Sequence, residues 1–148
     1  PGHHVSALVY DERTDLLFAG LHYEGGLLVS ADQGKSWEAR NNGLQSGHAY
    51  SLLVQHVGDQ TILNLGTEPV MFYRSFDLGK SWTAYPSCTQ VEGTEHWFFP
   101  RSQPHIKHIA AHPSEPETIY LCVEQGDLLR SEDGGESWKS INAMERPD

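Results

Sequence analysis

Imidazoles and carboxylates recur at matching places along the 148 residues. Gly2-His3, Gly47-His48 and Pro104-His105 each stand just before a run of β-type residues. Glu24, Glu68 and Glu124 occupy turns at nearly equivalent places further on, the first turn holding one extra residue. If the segments are repeated around an axis, His3, His48, His105, Glu24, Glu68 and Glu124 converge as a ring. Such a ring has the donors for a divalent transition metal. The competing expectation, which we favour, is structural: each His caps a strand or bonds a loop carbonyl, and each Glu pairs with it or stays in water. No His-x-x-x-His spacing is present, and His22, His56, His96, His108 and His112 show no ligand spacing either.

The elements that must position these groups are announced by three octads: Ser30-Ala31-Asp32-Gln33-Gly34-Lys35-Ser36-Trp37, Ser75-Phe76-Asp77-Leu78-Gly79-Lys80-Ser81-Trp82 and Ser131-Glu132-Asp133-Gly134-Gly135-Glu136-Ser137-Trp138. All read S-x-D-x-G-x-S-W, at a spacing that suits a four-stranded sheet repeated about an axis. Short β-type runs separated by turn residues predict strands over 4–10, 16–21, 26–30 and 36–40 in the first repeat. The second repeat predicts 49–57, 61–66, 70–75 and 81–85, and the third 106–111, 118–123, 127–131 and 137–141. Helical periodicity is absent. Runs such as Leu52-Leu53-Val54 and Ile119-Tyr120-Leu121-Cys122-Val123 are apolar at consecutive positions, as a sheet buried on both faces requires.

Within each octad the residue types imply a fold-holding turn. Asp32, Asp77 and Asp133 can accept bonds from turn N–H groups, and Gly34, Gly79 and Gly135 supply a positive φ. The second Ser bonds back to the turn, while Trp37, Trp82 and Trp138 carry one buried indole per repeat into the space between sheets. The expected architecture is all-β: three four-stranded antiparallel blades over 3–45, 46–87 and 104–143, with a long connection over 86–104. Propellers close with four to eight blades, so three leave two apolar faces to cover. The expectation is a homodimer forming a six-bladed ring, with a fragment of a longer propeller as the alternative. Whole blades fit the chain as given, with no strand exchanged between its ends.

Composition narrows the partners. A formal charge of -10 and a pI near 5.2, with no basic stripe, argue against nucleic acid. No stretch reaches the roughly 18 apolar residues of a membrane helix, and no targeting segment is recognisable in the chain as given. Cys88 and Cys122 belong to no C-x-x-C pair and read as bystander thiols.

The octads, with His112-Pro113-Ser114-Glu115-Pro116-Glu117-Thr118-Ile119-Tyr120 and Glu124-Gln125-Gly126-Asp127-Leu128-Leu129-Arg130-Ser131, make the whole chain resemble the BNR or Asp-box β-propellers. That group includes sialidases, sortilin-type receptor domains, photosystem II assembly-factor-like propellers and uncharacterised bacterial BNR-repeat proteins, to which the likeness is greatest. The resemblance implies fold more than activity, since the boxes are shared by members with different functions. For a sialidase it would imply three arginines on the substrate carboxylate, a Tyr nucleophile assisted by Glu, an Asp acid/base and an F-R-I-P-like segment. Arg13, Arg40, Arg74 and Arg130 are expected on the box side or in an outer strand. Only Arg101 falls in a loop that reaches the opposite face, and Phe99-Pro100-Arg101 has the letters in another order. The reading is therefore a non-catalytic scaffold for protein or carbohydrate, acting through the channel mouth opposite the boxes, without an obligatory cofactor. The runners-up are a sialidase-like glycoside hydrolase and a metal-binding propeller. Trp97, with Phe98 and Phe99 in the long connection, is expected to plug the channel or the dimer seam, or else to stack on a sugar or peptide.

Overall fold

The computed structural model describes residues 4–98, 100 and 103–142. Among these residues twelve strands form three antiparallel sheets in simple up-and-down order. The first holds β1 (Val5–Asp11), β2 (Leu16–Leu21), β3 (Gly26–Ser30) and β4 (Glu38–Ala39). The second holds β5 (Ala49–Val57), β6 (Gln60–Thr67), β7 (Phe72–Ser75) and β8 (Thr83–Tyr85), and the third β9 (Ile106–Ala111), β10 (Ile119–Val123), β11 (Leu128–Ser131) and β12 (Lys139–Ser140). The all-β, three-blade expectation therefore holds. Among the described residues the helical segments are two 3₁₀ turns in the long connection, Pro86–Thr89 and Thr94–His96.

Outer strands are shorter than predicted, and the octads explain why. In every box the second Ser is tied back to the Asp: Ser36, Ser81 and Ser137 each donate a backbone N–H to Oδ1 of Asp32, Asp77 and Asp133 at 2.8 Å. Their hydroxyls donate to Oδ2 of the same carboxylates. These residues stay in the turn, so pairing begins only after the Trp. The first Ser closes the motif, donating to the Asp and accepting the box glycine N–H at 2.8–2.9 Å. Gly34, Gly79 and Gly135 take φ of 88°, 84° and 97°, a region that L residues enter with strain.

Sheets stack face to face through two cores. Phe18, Leu27 and Val29 of the first blade meet Leu63, Leu65, Tyr73 and Trp82 of the second. Val70 and Phe72 of the second meet Ile109, Ile119, Leu121, Leu129 and Trp138 of the third. The central sheet is thus apolar toward both neighbours, and each large side chain removed from water contributes roughly 1.5–3 kcal/mol. Along the axis, neighbouring innermost strands are also joined: Ser6 Oγ donates to Ala49 O at 2.6 Å and Ser51 Oγ to Ile106 O at 2.7 Å.

One buried Trp per repeat proves true of two repeats only. Trp82 and Trp138 are 6% and 8% exposed, but Trp37 is 40% exposed. The indoles of Trp82 and Trp138 pack on the preceding blade, and among the described residues no blade lies against Trp37. In the long connection, Cys88 is fully buried, and burial pushes its thiol up to about 11. Trp97 packs on the second core, and a Cβ at Gly126 would stand 3.0 Å from its ring.

Candidate functional site at the channel mouth

Two backbone features build the end of the stack opposite the boxes. First, the residue after each middle strand donates its N–H to the residue before each innermost strand: His22 to His4 O at 2.9 Å, Glu68 to His48 O at 3.1 Å and Glu124 to His105 O at 3.2 Å. These bonds give the true equivalences, and they correct the sequence alignment. His4, not His3, matches His48 and His105; His3 itself lies outside the described residues. His22, not Glu24, matches Glu68 and Glu124. The one-residue-longer β2–β3 turn carries Glu24 past the ring to an exposed position, where its backbone abuts Gly47.

Second, each innermost strand has a β-bulge two residues further in. The pairing skips Ser6 in β1, Tyr50 in β5 and Lys107 in β9. A bulge leaves one residue out of the ladder and re-aims its side chain. Ser6 turns to the next inner strand, Tyr50 to the next blade's histidine and Lys107 to its own blade's glutamate. None of these three is marked by residue type in the sequence, because a bulge depends on the register of the neighbouring strand.

The side chains form one connected group across the three blades. His105 is fully buried. Its Nε2 lies 2.7 Å from Glu124 Oε2, and its Nδ1 lies 3.4 Å from Glu68 Oε2. The same Glu68 oxygen is 3.4 Å from His22 Nε2, so the central blade's carboxylate sits between imidazoles of both flanking blades. Lys107 Nζ donates to Glu124 Oε1 at 2.8 Å. That bond holds the Glu124 carboxyl below its ordinary value and the Lys107 ammonium above its own. The Tyr50 ring stacks on His105 with centroids 3.7 Å apart, and burial raises its phenol. His22 packs edge-on to Tyr50 and His48 at 5.0 and 5.3 Å, and burial lowers its imidazole. His48 Nδ1 is buried without a hydrogen bond among the described residues, and the buried His22 Nε2 has the long contact with Glu68 alone.

Beside this group, a cleft of about 280 Å³ is lined by Pro69, Val70, Thr89, Thr94, Trp97 and Pro104. Trp97 thus belongs to the mouth, as wall and as packing for the third blade, while Phe98 is exposed. Arg101 and Phe99 lie outside the described residues. The box-side arginines turn to backbone and neighbours: Arg13 Nη1 is 3.3 Å from His56 Nδ1, Arg40 donates to Leu78 O, Arg74 to Gly134 O, and Arg130 pairs with Glu132. Among the described residues no three His, Cys, Asp or Glu side chains are arranged to hold a metal ion. Asp32, Asp77 and Asp133 are at the other end, each bonded within its own turn.

No protein-family model matches the sequence, and no curated protein does. Solved structures do. YCF48 from Cyanidioschyzon merolae is 19% identical with a TM-score of 0.58 over 94% of this chain and 37% of its own. A structure of YCF48 bound to D1 peptide is 20% identical, with a TM-score of 0.54 over 93% of this chain and 40% of its own. The GH74 xyloglucanase from Xanthomonas campestris is 18% identical, with a TM-score of 0.60 over 94% and 21%. The chain spans well under half the length of each, and at this identity the likeness speaks of fold alone: these are β-propellers, and the chain is three consecutive blades of that fold.

Proposed function

We propose that the chain is a non-catalytic propeller scaffold that binds a segment of another protein at the channel mouth. The observation that carries this reading is the group of His48, His22 and the bulge residue Tyr50, in which the buried His48 Nδ1 has no hydrogen bond among the described residues, next to the apolar cleft of Trp97, Pro69 and Val70. Backbone amides and carbonyls of an extended peptide match such nitrogens and Tyr hydroxyls, and an apolar side chain matches the cleft. A peptide-bound YCF48 among the structural neighbours supports the same use of the fold.

A carbohydrate ligand or glycoside hydrolysis is the second reading, supported by the GH74 neighbour. Hydrolysis by paired carboxyls asks for one held protonated. Glu124 is shifted the other way by Lys107. Selection from a random heptapeptide display library tests the first reading: peptides should enrich on the wild type and lose at least about tenfold in binding to Tyr50→Ala and His48→Ala. Enrichment that both variants leave intact would overturn it, as would turnover of a fluorogenic sialoside or glycoside panel.

A further inference from the structure

The seam between the first two blades is clasped by the backbone that follows β4. Trp82 reaches back to it twice, its Nε1 donating to Arg40 O at 2.9 Å and its backbone N–H to Asn42 O at 2.9 Å. Asn41 ties the same stretch to its own blade, its Oδ1 accepting the Leu27 N–H at 2.8 Å. Leu44 N–H donates to Asn41 O at 3.0 Å and Gly43 takes φ 96°, so 41–44 is a tight turn. A Cβ at Gly43 would run into the Trp82 carbonyl. The close approach and the positive φ both call for glycine at this position.

That fit places glycine directly after an asparagine whose side chain is unrestrained. Asn42 and Gly43 are exposed, and neither the Asn42 carboxamide nor the Gly43 N–H makes a hydrogen bond among the described residues. The other described asparagines are held. Asn41 is fixed through Leu27, and Asn142 Oδ1 accepts the Leu128 N–H at 3.2 Å. Asn64 is fully buried, donating to Leu53 O and Gln55 Oε1 and accepting from Arg74 Nε.

We infer that Asn42 is a site of spontaneous deamidation and isoaspartate formation, and that the reaction unfastens the seam between the first and second blades. The Gly43 backbone nitrogen, unhindered by a side chain, attacks Asn42 Cγ and gives up its proton. The Cγ–Nδ2 bond breaks and ammonia leaves, closing a succinimide ring. Water then opens the ring. Breaking the bond from the nitrogen to Cγ leaves aspartate with the main chain unchanged, whereas breaking the bond to the former backbone carbonyl carbon leaves isoaspartate, its main chain rerouted through Cβ and Cγ. Either way a water molecule is consumed, ammonia is released and nothing is oxidised or reduced. In the isoaspartyl product the oxygen that accepted the Trp82 N–H belongs to a free carboxylate, and the main chain gains a methylene. The turn then no longer presents Arg40 O and Asn42 O to Trp82 together. The inference concerns the seam and does not depend on the peptide-binding reading.

Ageing the folded chain in warm, mildly alkaline buffer tests it. The tryptic peptide 41–74 should gain the mass of an amide-to-acid exchange and accept methyl groups from an isoaspartyl methyltransferase. Fragmentation should place the change at Asn42 and leave Asn41 and Asn64 as amides. Asn42→Gln, whose longer side chain closes an imide far more slowly, should show neither signal. The aged wild type should melt about 3 °C below the fresh protein, as the loss of a hydrogen bond in a domain of this size predicts, while aged Asn42→Gln keeps its Tm. An Asn42 that stays an amide in the folded chain yet converts in guanidinium chloride overturns the site, and so does earlier conversion of Asn41 or Asn64. An unchanged Tm in fully converted protein overturns the effect on the seam.

Discussion

Residue chemistry divides this chain cleanly between its two ends. Each box Asp is held by donors from two serines and the turn backbone, so all three carboxyls titrate below the ordinary carboxyl range, Asp32 at about 2. A carboxyl depressed in the folded state stabilises above the unfolded value and loses that contribution as pH falls through the folded one. Thermal stability should therefore drop steeply between pH 3.8 and about 2. Asp77→Asn should lower Tm at neutral pH by on the order of 5 °C and flatten the acid limb; an unchanged acid limb in differential scanning calorimetry would contradict this account. Arg74 makes a second test. Its guanidinium is buried and donates to Gly134 O, Asn64 Oδ1 and Gln55 Oε1. Arg74→Met leaves three buried acceptors without that donor and should cost about 2–3 kcal/mol in urea unfolding. The box roles were legible because the residue types occur three times in fixed register. The mouth roles were legible only in kind: His and Glu were identified, but His4 and His22 were missed for His3 and Glu24, because one extra turn residue shifts the letters without shifting the hydrogen bonds.

Elements show the same limit. Strand existence and order follow from the apolar runs and turn residues, while the outer strands shorten because the box retains its second Ser. The bulges at Ser6, Tyr50 and Lys107 decide which side chains reach the mouth, and they left no mark in the sequence. The long connection also gains a definite structural role. Cys88, Val91 and Trp97 pack on the second core, and Trp97 covers Gly126. Trp97→Ala should destabilise by about 1–3 kcal/mol and speed proteolytic cleavage between Pro86 and Pro104. Cleavage at the wild-type rate would show that the connection is held by other contacts.

At the scale of the molecule, the blades behave as units, and each of the two seams between described blades is crossed by an arginine, Arg40 after β4 and Arg74 in β7, reaching the carbonyl before the next box glycine. Arg130, which crosses no seam among the described residues and pairs at the surface with Glu132, should on replacement by Met change unfolding by no more than about 0.5 kcal/mol, in contrast to Arg74→Met. Equal destabilisation by the two substitutions in urea titrations would mean that the pair with Glu132 matters as much as the buried contacts of Arg74. What the amino-acid sequence determined by itself was local and periodic: three turns with their Asp, Gly and Ser roles, twelve strands, and sheets apolar on both faces. Only the tertiary structure decided which Trp is covered, which arginine crosses a seam, and which His and Glu meet at the channel. The physical reason is that turns and strand faces are set by neighbours a few residues away, whereas a seam or a mouth joins groups from different blades, whose register depends on bulges and turn lengths elsewhere in the chain.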